Sequence, residues 1–167
     1  MIGGMVGNNS CGSRSVIYGS AREHLLSIKV ILADGNETEF KALSNEEFEA
    51  KANGIGTVSE LETNIYKHAK HLFSSEENRT EIEKEFPKKS IPRRNTGYAI
   101  DLLADSSPFT NSEEQFNFCK LLAGSEGTLA FTTELKLNLV PAPTEHQGVI
   151  CMHFDSINES LKGNLEA

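Results

Sequence analysis

Two segments of the chain alternate apolar and polar residues with a period of two, the pattern of strands that bury one face. The first, residues 26–32, is followed by Asp34-Gly35, a dipeptide that favours a tight hairpin turn, and the alternation resumes at Thr38. The second covers residues 129–139. The predicted apolar face of the first segment consists of Leu26, Ile28, Val30 and Leu32. That of the second segment consists of Leu129, Phe131, Thr133, Leu135, Leu137 and Leu139. Together these segments predict an antiparallel sheet.

The region between the two strand segments has the signals of helices. Ser44 with Glu47, and Ser59 with Glu62, match the capping box that begins a helix. After the second box, apolar residues recur every three or four positions and predict one buried stripe. That stripe would consist of Leu61, Ile65, Ala69 and Leu72. The densely charged residues 74–85 predict a solvated helix.

Three further segments complete the prediction. A short helix is expected over residues 113–122, capped by Asn111 or Ser112 and stopped by Gly124. Residues 148–154 read as a strand, and residues 156–165 as the start of a helix.

Composition narrows the functional classes. The chain has 167 residues, of which 38% are hydrophobic, enough for one core. Sixteen Lys and Arg against 24 Asp and Glu give a net charge of -8, which argues against nucleic acid or an anionic membrane as a partner. No apolar run approaches the roughly 20 residues that a transmembrane helix needs, and no signal peptide follows Met1. Three widely spaced cysteines favour a reducing compartment, so we predict a cytoplasmic protein or one peripheral to the inner membrane.

Residues 3–13 are rich in glycine, asparagine and serine, and they predict a loop. Such a loop can direct several backbone N–H groups at one anion, such as a pyrophosphate. It lacks the Gly-Lys-Ser/Thr ending of a Walker A loop, and it does not match the Rossmann fingerprint, since no strand precedes it and no G-x-G-x-x-G occurs. From these residues alone, phosphate binding and a purely structural glycine loop both stay open.

Three motifs, in order along nearly the whole chain, resemble those of a known flavoprotein family. Residues 3–19 resemble the second flavin-binding segment of FAD-linked oxidases, the vanillyl-alcohol-oxidase-like proteins with a PCMH-type FAD domain. Residues 122–130 resemble the closing flavin segment of the same family. Phe86-Pro87 with residues 93–103 is similar to the branch that oxidises D-2-hydroxy acids such as D-lactate or D-2-hydroxyglutarate.

The resemblance implies an α+β fold, the second subdomain of a PCMH-type FAD-binding domain, with a mainly antiparallel sheet flanked by helices. Residues 1–141 would form the second half of that domain, with a helical insertion at about 44–96. Residues 142–167 would be the first strand and helix of a truncated cap or substrate domain. The upstream pyrophosphate loop, the substrate arginine and the metal cluster would lie outside this chain. We therefore expect no catalytic residue and no metal ligand here, any metal or iron–sulfur cluster elsewhere, and no activity from this chain alone.

The resemblance also implies which residues would contact a non-covalently bound FAD. In the first motif these are Gly3, Gly4, Asn8, Asn9, Ser10 and Gly12, and in the second they are Gly124, Ser125, Glu126, Gly127, Thr128, Phe131 and Thr132. The family's Gly-Ile-Ile/Val-Thr reads Ala130-Phe131-Thr132-Thr133 here, which leaves the contact at Phe131 and Thr132 open. Expected partners of the complete protein are FAD, a small 2-hydroxy acid and its remaining domains. The flavin itself would accept the hydride that leaves the substrate.

Other candidates have simpler interpretations. Arg93-Arg94 could face the flavin or a substrate carboxylate, or form a surface pair neutralised by nearby glutamates. The five histidines are expected to be surface residues rather than metal ligands, and Cys11 is expected to pack inside the loop. The alternative function is a flavin-free α+β interaction module that has lost catalysis.

Overall fold

The computed structural model describes residues 1–91, 95–142 and 148–166. In chain order the elements are α1 (Ile2–Gly7), α2 (Ser15–Tyr18), α3 (Ala21–His24), β1 (Leu25–Ile31), β2 (Glu37–Lys41), α4 (Asn45–Ala52), α5 (Glu60–Ser74), α6 (Glu76–Glu85), α7 (Ile100–Ala104), α8 (Cys119–Leu122), β3 (Phe131–Leu137) and α9 (Ile157–Glu166). Helices thus accompany a small antiparallel sheet, and the predicted α+β class is confirmed.

The sheet has the order β2-β1-β3, with β1 antiparallel to both neighbours. The predicted hairpin between β1 and β2 is confirmed. Gly35 has a φ of +82°, a left-handed conformation that glycine adopts without strain, and its N–H donates to the carbonyl of Leu32 over 2.9 Å. The hairpin therefore places β1 at the centre, where β3 joins it from the other end of the chain.

The predicted apolar faces of β1 and β3 are only partly correct. A register shift between Leu25 and Ser27 puts Leu25 in the core and leaves Leu26 45% exposed. A second shift at Thr133 changes the parity of β3, because one additional residue moves all residues beyond it to the other face. Phe131 consequently pairs with Ile31 and is 71% exposed, contrary to the prediction that it faces the core.

The predicted helical insertion contains α4, α5 and α6. Ser44 and Glu47 form the predicted capping box at α4. At α5, the Ser59 hydroxyl accepts the N–H of Glu62 as predicted, but the Glu62 carboxylate accepts the N–H of Val58 and pairs with Lys51 instead of closing the box. The solvated helix predicted over residues 74–85 is confirmed as α6, which has no buried residue.

The buried stripe of α5 differs from the prediction. It consists of Glu62, Tyr66, Ala69 and Phe73, while Leu61 and Ile65 lie at its margin and Leu72 is exposed. Two large aromatic side chains thus decide the orientation of the helix, since they bury more apolar surface than the aliphatic alternatives. They join a cluster of seven rings with neighbouring centroids 4.6–6.5 Å apart: Phe40, Phe48, Tyr66, Phe73, Phe109, Phe116 and Phe118.

Three local predictions are wrong. Residues 2–7 are helical rather than a loop, because Gly3, Gly4 and Gly7 do not use positive φ angles. The helix predicted over residues 113–122 is only α8, since residues 114–116 instead bond to the backbone of Ser107 and Leu43. Residues 148–154 form no strand, having no strand to pair with in the described part of the chain, whereas the helix that follows is confirmed as α9. The division into two domains stays a prediction.

Candidate functional site

The structure brings the two predicted flavin motifs together. We call residues 3–12 the first glycine segment and residues 124–128 the second glycine segment. The N–H of Gly124 donates to the carbonyl of Val6, and the N–H of Glu126 donates to the carbonyl of Gly7, each over 3.0 Å. More than 110 positions separate the segments, so these two bonds create one continuous surface from distant parts of the chain.

Asn9 is the buried link at the base of this surface. It has no exposed surface and a φ of +48°, a conformation that asparagine tolerates better than most residues. Its Oδ1 accepts the backbone N–H of Arg22 over 2.8 Å, and its Nδ2 donates to Asn95 Oδ1 over 3.1 Å. These two bonds give Asn9 a supporting role beneath the surface. That Asn9 contacts the flavin stays a prediction.

Arg22, which the sequence analysis did not single out, holds three segments together. Its side chain is buried, and its Nη2 donates to the carbonyls of Thr96 and Gly97 over 2.9 Å and to that of Ala123 over 2.6 Å. Bonds from a charged donor are about twice as strong as those between neutral groups. Nothing in the sequence distinguishes Arg22 from a surface arginine of a short helix, which is the usual place of this residue type.

Gly124 lies where these groups converge. Its φ is +92°, and a Cβ built on it would lie 2.7 Å from Arg22 Nη2, 2.9 Å from the carbonyl oxygen of Gly97 and 3.4 Å from Asn9 Cβ. Glycine is therefore required here for both its backbone conformation and the space, unlike Gly127, which has a positive φ with no atom within 4 Å.

Comparisons with known proteins show what the chain is similar to. Residues 1–41, which include the first glycine segment, match the family described as "FAD binding domain". The chain is 28% identical over 161 residues to the D-2-hydroxyglutarate dehydrogenase of Pantoea ananatis, 27% over 161 to that of Escherichia coli, and 28% over 164 to that of Haemophilus influenzae. These matches support the predicted resemblance to the FAD-linked oxidases.

The alignments cover very different shares of this chain and of its relatives. The three alignments cover 96% of this chain but only 14–15% of the relatives, so the chain spans about one seventh of their length. No solved structure matches the chain. The description of the matched family names FAD, which supports the predicted cofactor.

The exposed backbone of both segments fits a bound FAD. Positions where a Cβ would meet no atom within 4 Å are Gly3, Gly4, Gly12 and Gly127, all of them exposed. A bare Cα at these positions lets a ligand approach the backbone closely, which is what a dinucleotide needs from such a segment. This surface would hold the FAD, with the two segments contributing adjacent backbone.

The remaining predicted contacts lie at different depths. Asn8, Glu126, Thr128, Phe131 and Thr132 are exposed. Ser10 is half-buried, and Ser125 is 4% exposed. At the tip of the second glycine segment Glu126 has a φ of +56°, which is costly for a residue with a side chain, whereas the adjacent Gly127 adopts its positive φ without strain. Such a tip keeps its shape only if surrounding contacts hold it.

One such contact joins the second glycine segment to the middle of the chain. The Tyr98 hydroxyl lies 2.6 Å from Thr128 Oγ1, and Thr128 Oγ1 donates to the carbonyl of Ser125 over 2.5 Å. Gly97-Tyr98 contributed to the family resemblance, but its sequence gave no indication that it would meet this turn.

The structure also locates the remaining residues that the sequence singled out. Cys11 is exposed, so the prediction that it packs inside the loop is wrong. His24 ends α3, where its Nε2 lies 2.6 Å from the carbonyl of Tyr18. Arg93 and Arg94 fall outside the described residues. Within residues 1–91, 95–142 and 148–166, no three His, Cys, Asp or Glu side chains are grouped to hold a metal ion.

One cleft lies away from the two glycine segments, and a second is lined in part by Arg22, which supports them. The first, of about 570 Å³, is formed by α6, the residues after it and α7, and its lining includes Arg79, Lys89 and Asp105. The second, of about 500 Å³, is bordered by Lys89, Asn117 and Lys120. No helix in the described part of the chain combines the length and apolar character needed to cross a membrane.

Proposed function

We propose that this chain is the flavin-holding part of an FAD-dependent dehydrogenase that oxidises a D-2-hydroxy acid of the D-lactate or D-2-hydroxyglutarate type. The observation that carries the proposal is the pairing of the two glycine segments by the Val6–Gly124 and Gly7–Glu126 hydrogen bonds. The names of the relatives support the substrate class, since all three are D-2-hydroxyglutarate dehydrogenases.

In this proposal the chain binds and orients the cofactor and does not touch the reacting bond. Bound FAD supplies the acceptor for the hydride that leaves the substrate α-carbon. The exposed glycines admit the cofactor to the backbone, while Asn9 and Arg22 fix the relative position of the two segments from below. Holding a cofactor in one geometry is the protein's share of such catalysis. By itself the chain is expected to be inactive.

The test uses the full-length protein. FAD is released from one sample of the protein and quantified. In a second sample, which keeps its flavin bound, the flavin absorbance is followed under anaerobic conditions after addition of D-2-hydroxyglutarate, D-lactate or the corresponding L-enantiomers. We expect bound FAD that is bleached by a D-enantiomer and not by its L-enantiomer. Bound FAD without bleaching would overturn the substrate class alone. Absence of flavin would overturn the proposal and favour the flavin-free interaction module.

A further inference from the structure

The 95–98 segment contacts both glycine segments although it belongs to neither. Asn95 accepts from Asn9, and the carbonyls of Thr96 and Gly97 accept from Arg22, whose Nη2 also reaches Ala123 beside the second glycine segment. Tyr98 then meets Thr128. Each of these four successive residues therefore makes a hydrogen bond either to a residue of a glycine segment or to Arg22, which supports both segments.

The direction of the Tyr98–Thr128 bond follows from proton counting. A threonine hydroxyl has one proton, and Thr128 gives it to the carbonyl of Ser125. The Tyr98 hydroxyl must therefore donate to Thr128 Oγ1. The result is a relay of two bonds from Tyr98 through Thr128 to Ser125, which spans the left-handed residues Glu126 and Gly127.

These two hydrogen bonds hold the turn in a conformation that is unfavourable without them. A positive φ costs a residue with a side chain, here Glu126, free energy, and it persists only where neighbouring contacts determine it. Tyr98 is anchored on its own side, because the carbonyls of the two preceding residues are bonded to buried Arg22. Its hydroxyl thus ties the tip of the turn to a fixed point in the protein.

We propose that the 95–98 segment is a third part of the flavin-binding surface, in which Tyr98 is a positioning residue that holds the Ser125–Thr128 turn in its binding conformation. This inference rests on the proposed function. It predicts that FAD affinity depends on a hydroxyl far in sequence from both glycine segments, because a turn that must be ordered during binding reduces affinity. Tyr98 itself is 48% exposed, so loss of its hydroxyl leaves no buried polar group without a partner.

The experiment measures the dissociation constant of FAD for the full-length apoprotein by flavin fluorescence. Four variants are compared with the wild type: Tyr98→Phe, Thr128→Val, the double variant and Thr133→Val. The last is a matched control, since Thr133 is an exposed, hydrogen-bonded threonine of β3 outside the turn. The visible circular dichroism of the bound flavin and the urea midpoint are recorded for each protein.

We expect Tyr98→Phe to raise the dissociation constant about three- to tenfold, the effect of one net hydrogen bond. The double variant should be no weaker than Thr128→Val, because both changes break one relay. The flavin circular dichroism of Tyr98→Phe should change at an unaltered urea midpoint, and Thr133→Val should resemble the wild type. Wild-type affinity in Tyr98→Phe, or additive effects in the double variant, would overturn the inference while leaving the proposed function intact. A wild-type protein that does not bind FAD would overturn both.

Discussion

Substitution of Gly124 by alanine tests the buried junction beneath the two glycine segments. The new methyl group would lie 2.7 Å from Arg22 Nη2 and 2.9 Å from the carbonyl oxygen of Gly97, both well inside normal contact distance. Arg22 has little freedom to move, because its Nη2 also donates to the carbonyl of Ala123. The turn itself must therefore shift away from Val6.

The magnitude has two sources. A φ of +92° costs a residue with a side chain about 1–2 kcal/mol, and overpacking at a tight site costs about 1–3 kcal/mol. Together they predict about 2–5 kcal/mol, a large part of the 5–15 kcal/mol that typically separates folded from unfolded states. Gly56→Ala provides the matched control, since its φ is +76° but no atom lies within 4 Å of the added methyl group. Only the backbone cost of about 1–2 kcal/mol applies there.

Native-state hydrogen exchange of the full-length protein measures this effect locally. In Gly124→Ala, peptides that contain the N–H groups of residues 124 and 126 should lose at least about 30-fold of their protection, because these groups bond to Val6 and Gly7. In Gly56→Ala the same peptides should exchange as in the wild type. Equal protection of these peptides in the wild type and Gly124→Ala would refute the crowding at this junction.

Three other predictions concern the flavin surface and the core. Gly127→Val should abolish FAD retention, whereas Gly35→Val, with a similar positive φ and equally open surroundings, should retain it; equal flavin content in the two purified variants would contradict the contact at Gly127. Burial raises the pKa of the Cys119 thiol to about 12, so at about pH 8 a thiol reagent should modify only two of the three cysteines until the protein unfolds, and rapid native labelling of Cys119 would contradict its burial. Lys51→Met should lower the free energy of unfolding by about 3 kcal/mol, because it leaves the fully buried Glu62 carboxylate without its cation, and an unchanged urea midpoint would contradict this.

The local signals in the sequence predicted elements well and orientations less well. Asp34-Gly35, Ser44 and the charged residues of α6 encode their structures within a few neighbouring residues, and all three appear as predicted. The faces of β1 and β3 depend on register shifts that arise only when the strands pair, so alternation alone could not reveal them. The orientation of α5 was likewise decided by its aromatic partners.

The site likewise combines residues that the sequence reveals with residues that only the fold reveals. Both glycine segments were recognisable from composition and family resemblance, and the family match supports the first of them. Arg22 could not be found in this way, because its importance lies in three carbonyl groups supplied by residues 96, 97 and 123. Tyr98 was visible as part of a motif, but its bond to Thr128 joins positions 30 residues apart. Such contacts are properties of the fold rather than of any local segment.

The most direct test of the account is the flavin content of the full-length protein isolated from its source. The protein is denatured, the released nucleotide is identified by mass and absorbance, and its amount is compared with that of the polypeptide. We expect FAD in an amount close to equimolar, released without proteolysis because the binding is non-covalent. A correctly folded protein that carries no FAD and does not take it up on addition would contradict the account.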